Sequence, residues 1–347
     1  MVDGRRGDGP PDGRPAIGLS GLTKRYRRGK GWLTAVNDVT LSVPPGQVIG
    51  LLGPNGAGKT TTIKMIASLV LPTAGAVSLN GHDVGSQRPD AMRQIGAVLE
   101  GSRNVYWPLT AWQNLMYFGR LKGLRAAEIR PRAESLLADL GLWERRNETV
   151  GSYSRGMQQK VAIAAALVTD PPILLLDEPT IGLDVAAARM VKDWIAHLAG
   201  DEGKTILLTT HQLPIVQELA SRIAVIRDGK IIADLPTPEL LARYAEDRFE
   251  VRVPVMHHGF PGLLPPGSRV ESGAEATRIL LPDADQAALH KVLDGLRAAG
   301  IPLRSVSQAQ PDLEEIFLQL IRPGSGDGRA ADGRAVIADA ERAAVTR

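Results

Sequence analysis

Apolar residues recur along this chain at two different spacings, and the change from one to the other marks its elements. Ile17–Tyr26, Leu33–Val43 and Val48–Leu52 carry β-branched and aromatic residues at strand spacing. Pro44, Pro45 and Gly46 separate the last two as a turn. Ala76–Leu79 and Ile95–Leu99 predict two further strands, with the turn pair Asn80-Gly81 between them. From Thr110 to Leu142 the apolar spacing lengthens to three and four residues, which predicts helix. Ile173–Leu176, Thr205–Leu208 and Ile223–Ile226 are short, continuous apolar runs bounded by polar residues. They alternate with helical segments, Val185–Leu198 and Leu213–Leu219. That alternation fits strands buried on both faces in a parallel α/β layer. Ile231–Leu235 adds an edge hairpin through Asp228-Gly229.

The pattern changes after Pro236-Thr237-Pro238. A helix over Glu239–Tyr244, strands at Phe249–Val253 and Arg278–Leu281, and helices over Ala284–Ala299 and Asp312–Ile321 predict a small C-terminal α+β domain. The ends are rich in Gly, Pro, Asp and Arg, a composition that favours disorder. The expected organisation is a disordered arm over 1–15, a first domain over 16–238, an accessory domain over 239–322 and a disordered tail over 323–347.

Length and composition narrow the class. The 347 residues suffice for two domains and a large core. Cysteine is absent, which excludes disulfides and thiolate metal sites and fits a reducing compartment. The start of the chain lacks the apolar stretch of an export signal, so the Arg5-Arg6 pair is not read as one. No segment approaches the roughly 18 apolar residues of a spanning helix, so work at a membrane would need a partner that crosses it. Net charge is only +3, yet Lys24, Arg25, Arg27, Arg28 and Lys30 cluster. A solvated turn, a face toward anionic lipid or nucleic acid, and support for nucleotide phosphates are all open readings of that cluster.

Candidate chemistry begins directly after Val48–Leu52. Gly53, Pro54, Asn55, Gly56, Ala57, Gly58, Lys59, Thr60 and Thr61 form a glycine loop between that strand and a predicted helix. The loop matches the full G-x-x-x-x-G-K-[ST] pattern, in which backbone N–H groups and the positive end of the helix cradle phosphates. Lys59 would reach the outer phosphates, and the Thr60 hydroxyl would serve Mg²⁺. A second apolar strand ends in carboxylates. Asp177 can hold Mg²⁺ through water, and Glu178 can polarise an attacking water as general base. His211 follows the run Thr205–Thr210, at the carboxyl end of a predicted parallel strand, where such sheets bind ligands. A GTPase reading fails, because no Asn in the chain is followed by Lys as the guanine-reading motif requires.

Four motifs occur in order: Gly53–Thr60; Ser154, Arg155, Gly156, Met157 and Gln158; Leu176–Asp184; and Thr210-His211. Together they resemble the nucleotide-binding domain of an ABC ATPase over about residues 16–235. The resemblance implies a P-loop NTPase fold: an α/β core, an antiparallel β subdomain and a helical subdomain. It implies ATP and Mg²⁺ as ligands, Tyr26 as the adenine-stacking aromatic, and Ser154 and Gly156 as the signature contacts to phosphate. A helix led by Gly156 can independently aim its positive end at a phosphate. Since the chain's own loop already has a helix, that second helix is expected to cap ATP held by another copy. Asp184 matches the loop that crosses the interface of the head-to-tail dimer.

Two positions depart from the family pattern. Tyr153-Ser154-Arg155-Gly156-Met157 stands where Leu-Ser-Gly-Gly-Gln is usual, and Glu100 replaces a glutamine that binds Mg²⁺ and relays to the membrane partner. A carboxylate at 100 can still bind Mg²⁺ but repels the γ-phosphate, which implies slower or partner-gated hydrolysis, or an inactive ATPase. Beyond Glu100, Tyr106, Trp107, Trp112, Tyr117 and Phe118 fall together, either as packing of the helical subdomain or as a docking groove for a membrane partner. With Glu100 and the Ser-Arg-Gly-Met signature, the stretch Pro311–Leu320 resembles ATPases of ABC-2 type exporters of drugs, lipids, polysaccharides or ions. The implied partners are a second copy and a polytopic permease at the cytoplasmic face of the membrane, without nucleic acid. An importer ATPase, or a soluble relative acting on ribosomes or DNA, is the alternative.

Overall fold

A computed structural model describes residues 13–101, 104–244, 249–255, 264–273, 275–281, 286–308 and 313–321. Most of the expected N-terminal arm and all of the expected tail lie outside the described residues. The described residues divide into two compact units, one comprising those up to Thr237 together with 319–321, the other those within Pro238–Leu318.

The first unit begins with β1 (Ile17–Arg28), β2 (Gly31–Val43) and β3 (Val48–Leu52), then α1 (Lys59–Ile66). β4 (Ala74–Leu79), β5 (His82–Asp83), α2 (Arg88–Arg93) and β6 (Ile95–Val98) follow. Helices α3 (Ala111–Leu121), α4 (Ala126–Asp139) and α5 (Arg155–Leu167) precede β7 (Ile173–Asp177). Then come α6 (Val185–Gly200), β8 (Thr205–Thr209), α7 (Leu213–Leu219), β9 (Arg222–Arg227) and β10 (Lys230–Pro236).

Two sheets result. One is antiparallel, in the order β2-β1-β4-β5. The other has six strands in the order β10-β9-β3-β8-β7-β6, parallel except at the β9–β10 hairpin. β3, β7 and β8 are buried at every position, as their unbroken apolar runs require of strands covered on both faces. Ile17, Leu19 and Val77 of the antiparallel sheet, Ile63 and Ile66 of α1, and Leu51, Leu175 and Leu207 of the parallel sheet share one core cluster. Burying each such side chain is worth about 1.5–3 kcal/mol, which fixes α1 against the strands that frame it.

The second unit contains β11 (Phe249–Pro254), β12 (Arg269–Ser272), β13 (Ala276–Leu281), α9 (Gln286–Ala298) and β14 (Ser305–Gln308), together with α8 (Thr237–Tyr244) from Pro238 onward and α10 (Leu313–Ile321) as far as Leu318. Its sheet runs β12-β13-β11-β14, all antiparallel. Val251, Val253, Ile279 and Leu281 pack with Val292 and Leu296 of α9. On a neighbouring position of β11, buried Glu250 pairs with Arg252 and, at 3.0 Å, with Arg278. Burial pushes the Glu250 carboxyl up, but hydrogen bonds and attraction from Arg278 and Arg252 outweigh it and hold the group below its ordinary range.

The structure corrects three details of the sequence reading. The helical stretch from Thr110 to Leu142 is two helices, broken at Gly123, whose φ of 93° favours glycine. Asn80-Gly81 joins β4 to the short β5, while the strand at Ile95 belongs to the other sheet. The strands β12 and β14 were not expected; every residue in them is exposed, so they carry no apolar alternation to read.

Candidate active site

β3 lies between β9 and β8 in the parallel sheet, and the chain leaves it directly into the glycine loop. Gly53 and Gly58 are required there by space. A Cβ at Gly53 would lie 2.3 Å from the Ile226 carbonyl oxygen, and one at Gly58 would lie 2.5 Å from that of Ala35. Gly58 also has φ of 109°, and it precedes α1 without a side-chain cap. No acidic residue occupies the first turn of α1, so the partial positive charge of its N-terminus is not neutralised locally. Lys59 folds back over the loop, its Nζ donating to the carbonyl oxygens of Gly53 at 2.6 Å and Pro54 at 3.1 Å. Burial holds the Lys59 ammonium below its ordinary pKa; Glu178, Asp177 and Glu100 oppose that shift without cancelling it.

The neighbouring strands deliver the carboxylates. Asp177 ends β7 directly opposite Thr209 of β8, and the Thr209 hydroxyl donates to Asp177 Oδ1. Asp177 is 2% exposed, and its Oδ2 is buried without a hydrogen-bond partner. Glu178 follows with φ of 52°, a left-handed conformation that costs a non-glycine residue free energy and is typical of functional sites. Its backbone N–H donates to the Thr209 carbonyl at 2.9 Å. Its Oε2 accepts from the Thr210 hydroxyl at 3.0 Å and lies 2.9 Å from His211 Nδ1. The Thr210 hydroxyl in turn accepts the Gln212 backbone N–H at 3.0 Å.

These groups surround one cleft of about 560 Å³. Asn55, Gly56, Gly58, Lys59, Thr60, Thr61, Glu100, Asp177, Glu178 and His211 line it, together with Ala35 and Ile181. The structure thus brings together the loop, the strand-end carboxylates, Glu100 and the histidine. The residues that the sequence reading left without a role are Thr209 and Thr210, which orient the two carboxylates, and the liners Ala35 and Ile181. Two hydroxyls at the end of β8, next to His211, were the available signal.

The other candidates sit elsewhere. Tyr26 lies on β1 opposite Leu33, 39% exposed, with Lys24 Nζ 5.1 Å from its ring centroid, and does not line the cleft. Ser154 caps α5, its Oγ accepting from the Met157 N–H at 3.3 Å, and Asp184 caps α6, its Oδ1 accepting from the Ala187 N–H at 2.8 Å. A Cβ on Gly156 would lie 3.1 Å from Ala187 Cβ, so the two helix starts adjoin on the surface. The aromatic residues after Glu100 divide between contact and exposure. Tyr106 and Tyr117 meet edge to face at 5.0 Å, while Tyr106, Trp107 and Tyr117 stay at least 40% exposed. A groove of about 540 Å³ beside them is lined by Trp112, Met116, Tyr117, Arg120, Leu121 and Arg130, among others.

Comparison with known proteins matches this geometry to a family. A sequence profile described as ABC transporter matches residues 36–181. The daunorubicin/doxorubicin resistance ATP-binding protein DrrA of Streptomyces peucetius is 38% identical over 344 residues, covering 94% of this chain and 96% of that protein. The ABC transporter ATP-binding protein NatA of Bacillus subtilis is 42% identical over 216 residues, covering 62% of this chain and 87% of NatA. Among solved structures, the dimeric post-hydrolysis state of the ATP-binding cassette MJ0796, bound to ADP and Pi, superposes with a TM-score of 0.59. It is 30% identical and covers 64% of this chain and 98% of its own.

Proposed function

The chain belongs to the ABC transporter family as an ATP-binding, ATP-hydrolysing subunit, and from that premise we propose that it powers a separate membrane permease exporting a drug-like cargo. The DrrA relative, matched along nearly its whole length, supports export and the cargo class. Among the described residues no helix is long and apolar enough to cross a membrane. The DrrA relative, named as an ATP-binding protein, supports placing the chain at the cytoplasmic face of a separate permease. The groove beside α3, whose lining includes the apolar Trp112, Met116 and Leu121, is the surface we assign to that permease.

One observation carries the catalytic reading. Buried Asp177 presents an unpartnered oxygen in the same cleft as Lys59, Glu178 and His211. An orphaned, buried carboxylate oxygen is costly unless a cation or proton meets it. Mg²⁺ is usually held by one or two carboxylates plus phosphates and water, and the buried Asp177 oxygen beside the phosphate loop offers it such a ligand. Thr60, Asp177 and Glu100 would hold it, and when bound it would neutralise charge developing on the phosphates.

The chain's own residues do the rest. Gly53, Asn55, Gly56, Ala57, Gly58 and Thr61 wrap the phosphates with backbone N–H groups, Pro54, which has no N–H, shapes the turn between them, and Lys59 turns from the Gly53 and Pro54 carbonyls to the outer phosphates. Thr210 and His211 both engage Glu178 Oε2, leaving Oε1 to take a proton from the water that attacks the γ-phosphorus. A water O–P bond forms, the bond to the β-phosphate oxygen breaks, and ADP and phosphate leave. Tyr26 stacks on adenine. Exposed Ser154 and Asp184 and half-buried Gly156, none of which lines the chain's own cleft, contact ATP held by a second copy. The dimeric MJ0796 cassette supports that arrangement.

The test is capture of Glu178→Gln protein, purified with ATP from solubilised native membranes, and identification of what comes with it. A polytopic membrane protein in near-equal amount is expected. Ribosomal or DNA-associated proteins, with no membrane partner, overturn the transporter reading.

A further inference from the structure

The basic cluster noted in the sequence forms the projecting end of the β1–β2 hairpin. In this stretch Arg25 pairs across with Thr34, Tyr26 with Leu33, Arg27 with Trp32 and Arg28 with Gly31. Directly opposed residues share one face of a strand pair, and successive residues alternate. Tyr26 and Leu33 therefore occupy one face, and Arg25, Arg27, Trp32 and Thr34 the other. The second face is open to solvent: all four residues are exposed, Trp32 at 69%. Lys30 at the tip is also exposed. No carboxylate occurs between Gly13 and Asn37 in the sequence, and Arg25, Arg27 and Lys30 form no ion pair among the described residues. An exposed tryptophan flanked by unpaired cations serves neither the core nor an internal salt bridge.

We propose that the Arg25–Arg27–Trp32 face of this hairpin docks on anionic lipid headgroups at the membrane surface. The inference rests on the reading of the chain as the ATPase of a membrane transporter. Guanidinium forks match phosphate oxygens geometrically, and a tryptophan with one apolar and one polar edge is suited to the headgroup level. The opposite face remains available to the adenine stacked on Tyr26, so nucleotide and lipid do not compete. Each cation near an anionic surface strengthens binding by about five-fold at physiological salt. Arg25 and Arg27 together thus account for about 25-fold. Lipid contact of this kind would raise the local concentration of the subunit beside its permease, adding to the affinity of the protein–protein contact.

The experiment is flotation of the full chain with vesicles of phosphatidylcholine alone or with about one lipid in three replaced by phosphatidylglycerol, which supplies a negative surface potential. The protein is expected to bind the mixed vesicles at least ten-fold more tightly, and to release with added salt. Arg25→Gln with Arg27→Gln should lose about 25-fold of that binding, while Lys291→Gln on α9 should change it little. Trp32 emission should shift to the blue on binding and be quenched by brominated lipid, and Trp32→Phe should remove that signal. ATP hydrolysis without vesicles, measured on the same double variant, separates this surface from the transporter reading: it should match the wild-type rate. Equal binding to the two vesicle types, full binding by the double variant, or stronger binding to an RNA oligomer than to the mixed vesicles would each overturn the proposal.

Discussion

Thr210→Val isolates one hydroxyl at the centre of the site. Thr210 is 1% exposed, and the two side chains have nearly the same shape, so the change leaves the packing and removes the polar link. That link donates to Glu178 Oε2 at 3.0 Å and accepts the Gln212 N–H at 3.0 Å. A hydrogen bond to a charged group is worth about 1.5–3 kcal/mol, and His211 alone would then hold Glu178. If that energy positions the base in the transition state, turnover should fall by about 10- to 150-fold, at about 1.4 kcal/mol per factor of ten. ATP affinity should change less than about two-fold, since Thr210 does not line the cleft. Thr210→Ser, which restores the hydroxyl, should recover most of the rate. The assay is steady-state phosphate release with MgATP, beside equilibrium binding of a fluorescent ATP analogue. Unchanged turnover in Thr210→Val would refute the positioning argument. So would an equal loss in Thr210→Ser, which would point to packing.

Other outcomes follow from the same geometry. Lys59→Met should abolish hydrolysis and the thermal shift caused by ATP. Without nucleotide it should melt no lower than wild type, because burial already disfavours the Lys59 charge; a lower melting temperature would show that the contacts to Gly53 and Pro54 outweigh that cost. The sign agrees with pH: the folded-state pKa of Lys59 lies below 10.5, so the penalty is full below the folded value and is relieved as pH rises toward 10.5. Tyr26→Ala should weaken ATP binding by about 1–3 kcal/mol if it stacks on adenine, and calorimetry showing no change would return it to an ordinary strand-face residue. Glu250→Gln should cost the second unit about 1–2 kcal/mol at neutral pH, measured by chemical denaturation. The Glu250 carboxyl is held below its ordinary 4.5, so its contribution is present above that pH and lost as pH falls through the folded value; a difference between variant and wild type that persisted in acid would contradict the ion-pair account.

The parts of this protein legible in its sequence are those where local signals agree. β3, the glycine loop and α1 are contiguous, and an unbroken apolar run, two sterically required glycines and a helix start mark them without reference to the rest of the chain. β7 and β8 announce themselves because burial on both faces shows as an unbroken apolar run, Ile173–Leu176 and Ile206–Leu208, with polar residues only at the strand ends. What the sequence hid depends on contacts distant along the chain. That Thr209 and Thr210 orient Asp177 and Glu178 follows only once β7 and β8 lie side by side. The wholly exposed β12 and β14 have no pattern of their own and exist through pairing with β13 and β11. The break between α3 and α4 was carried by Gly123 alone, inside a spacing that otherwise reads as continuous helix.

The most direct test of the account is MgATP turnover by purified wild-type chain and Glu178→Gln, with nucleotide binding and molecular mass followed in the same samples. The account predicts measurable turnover in the wild type, loss of at least about 100-fold in the variant, retained ATP binding, and an ATP-dependent dimer that persists only in the variant. A variant that hydrolyses ATP at the wild-type rate would contradict the assignment of Glu178 as the base in this cleft.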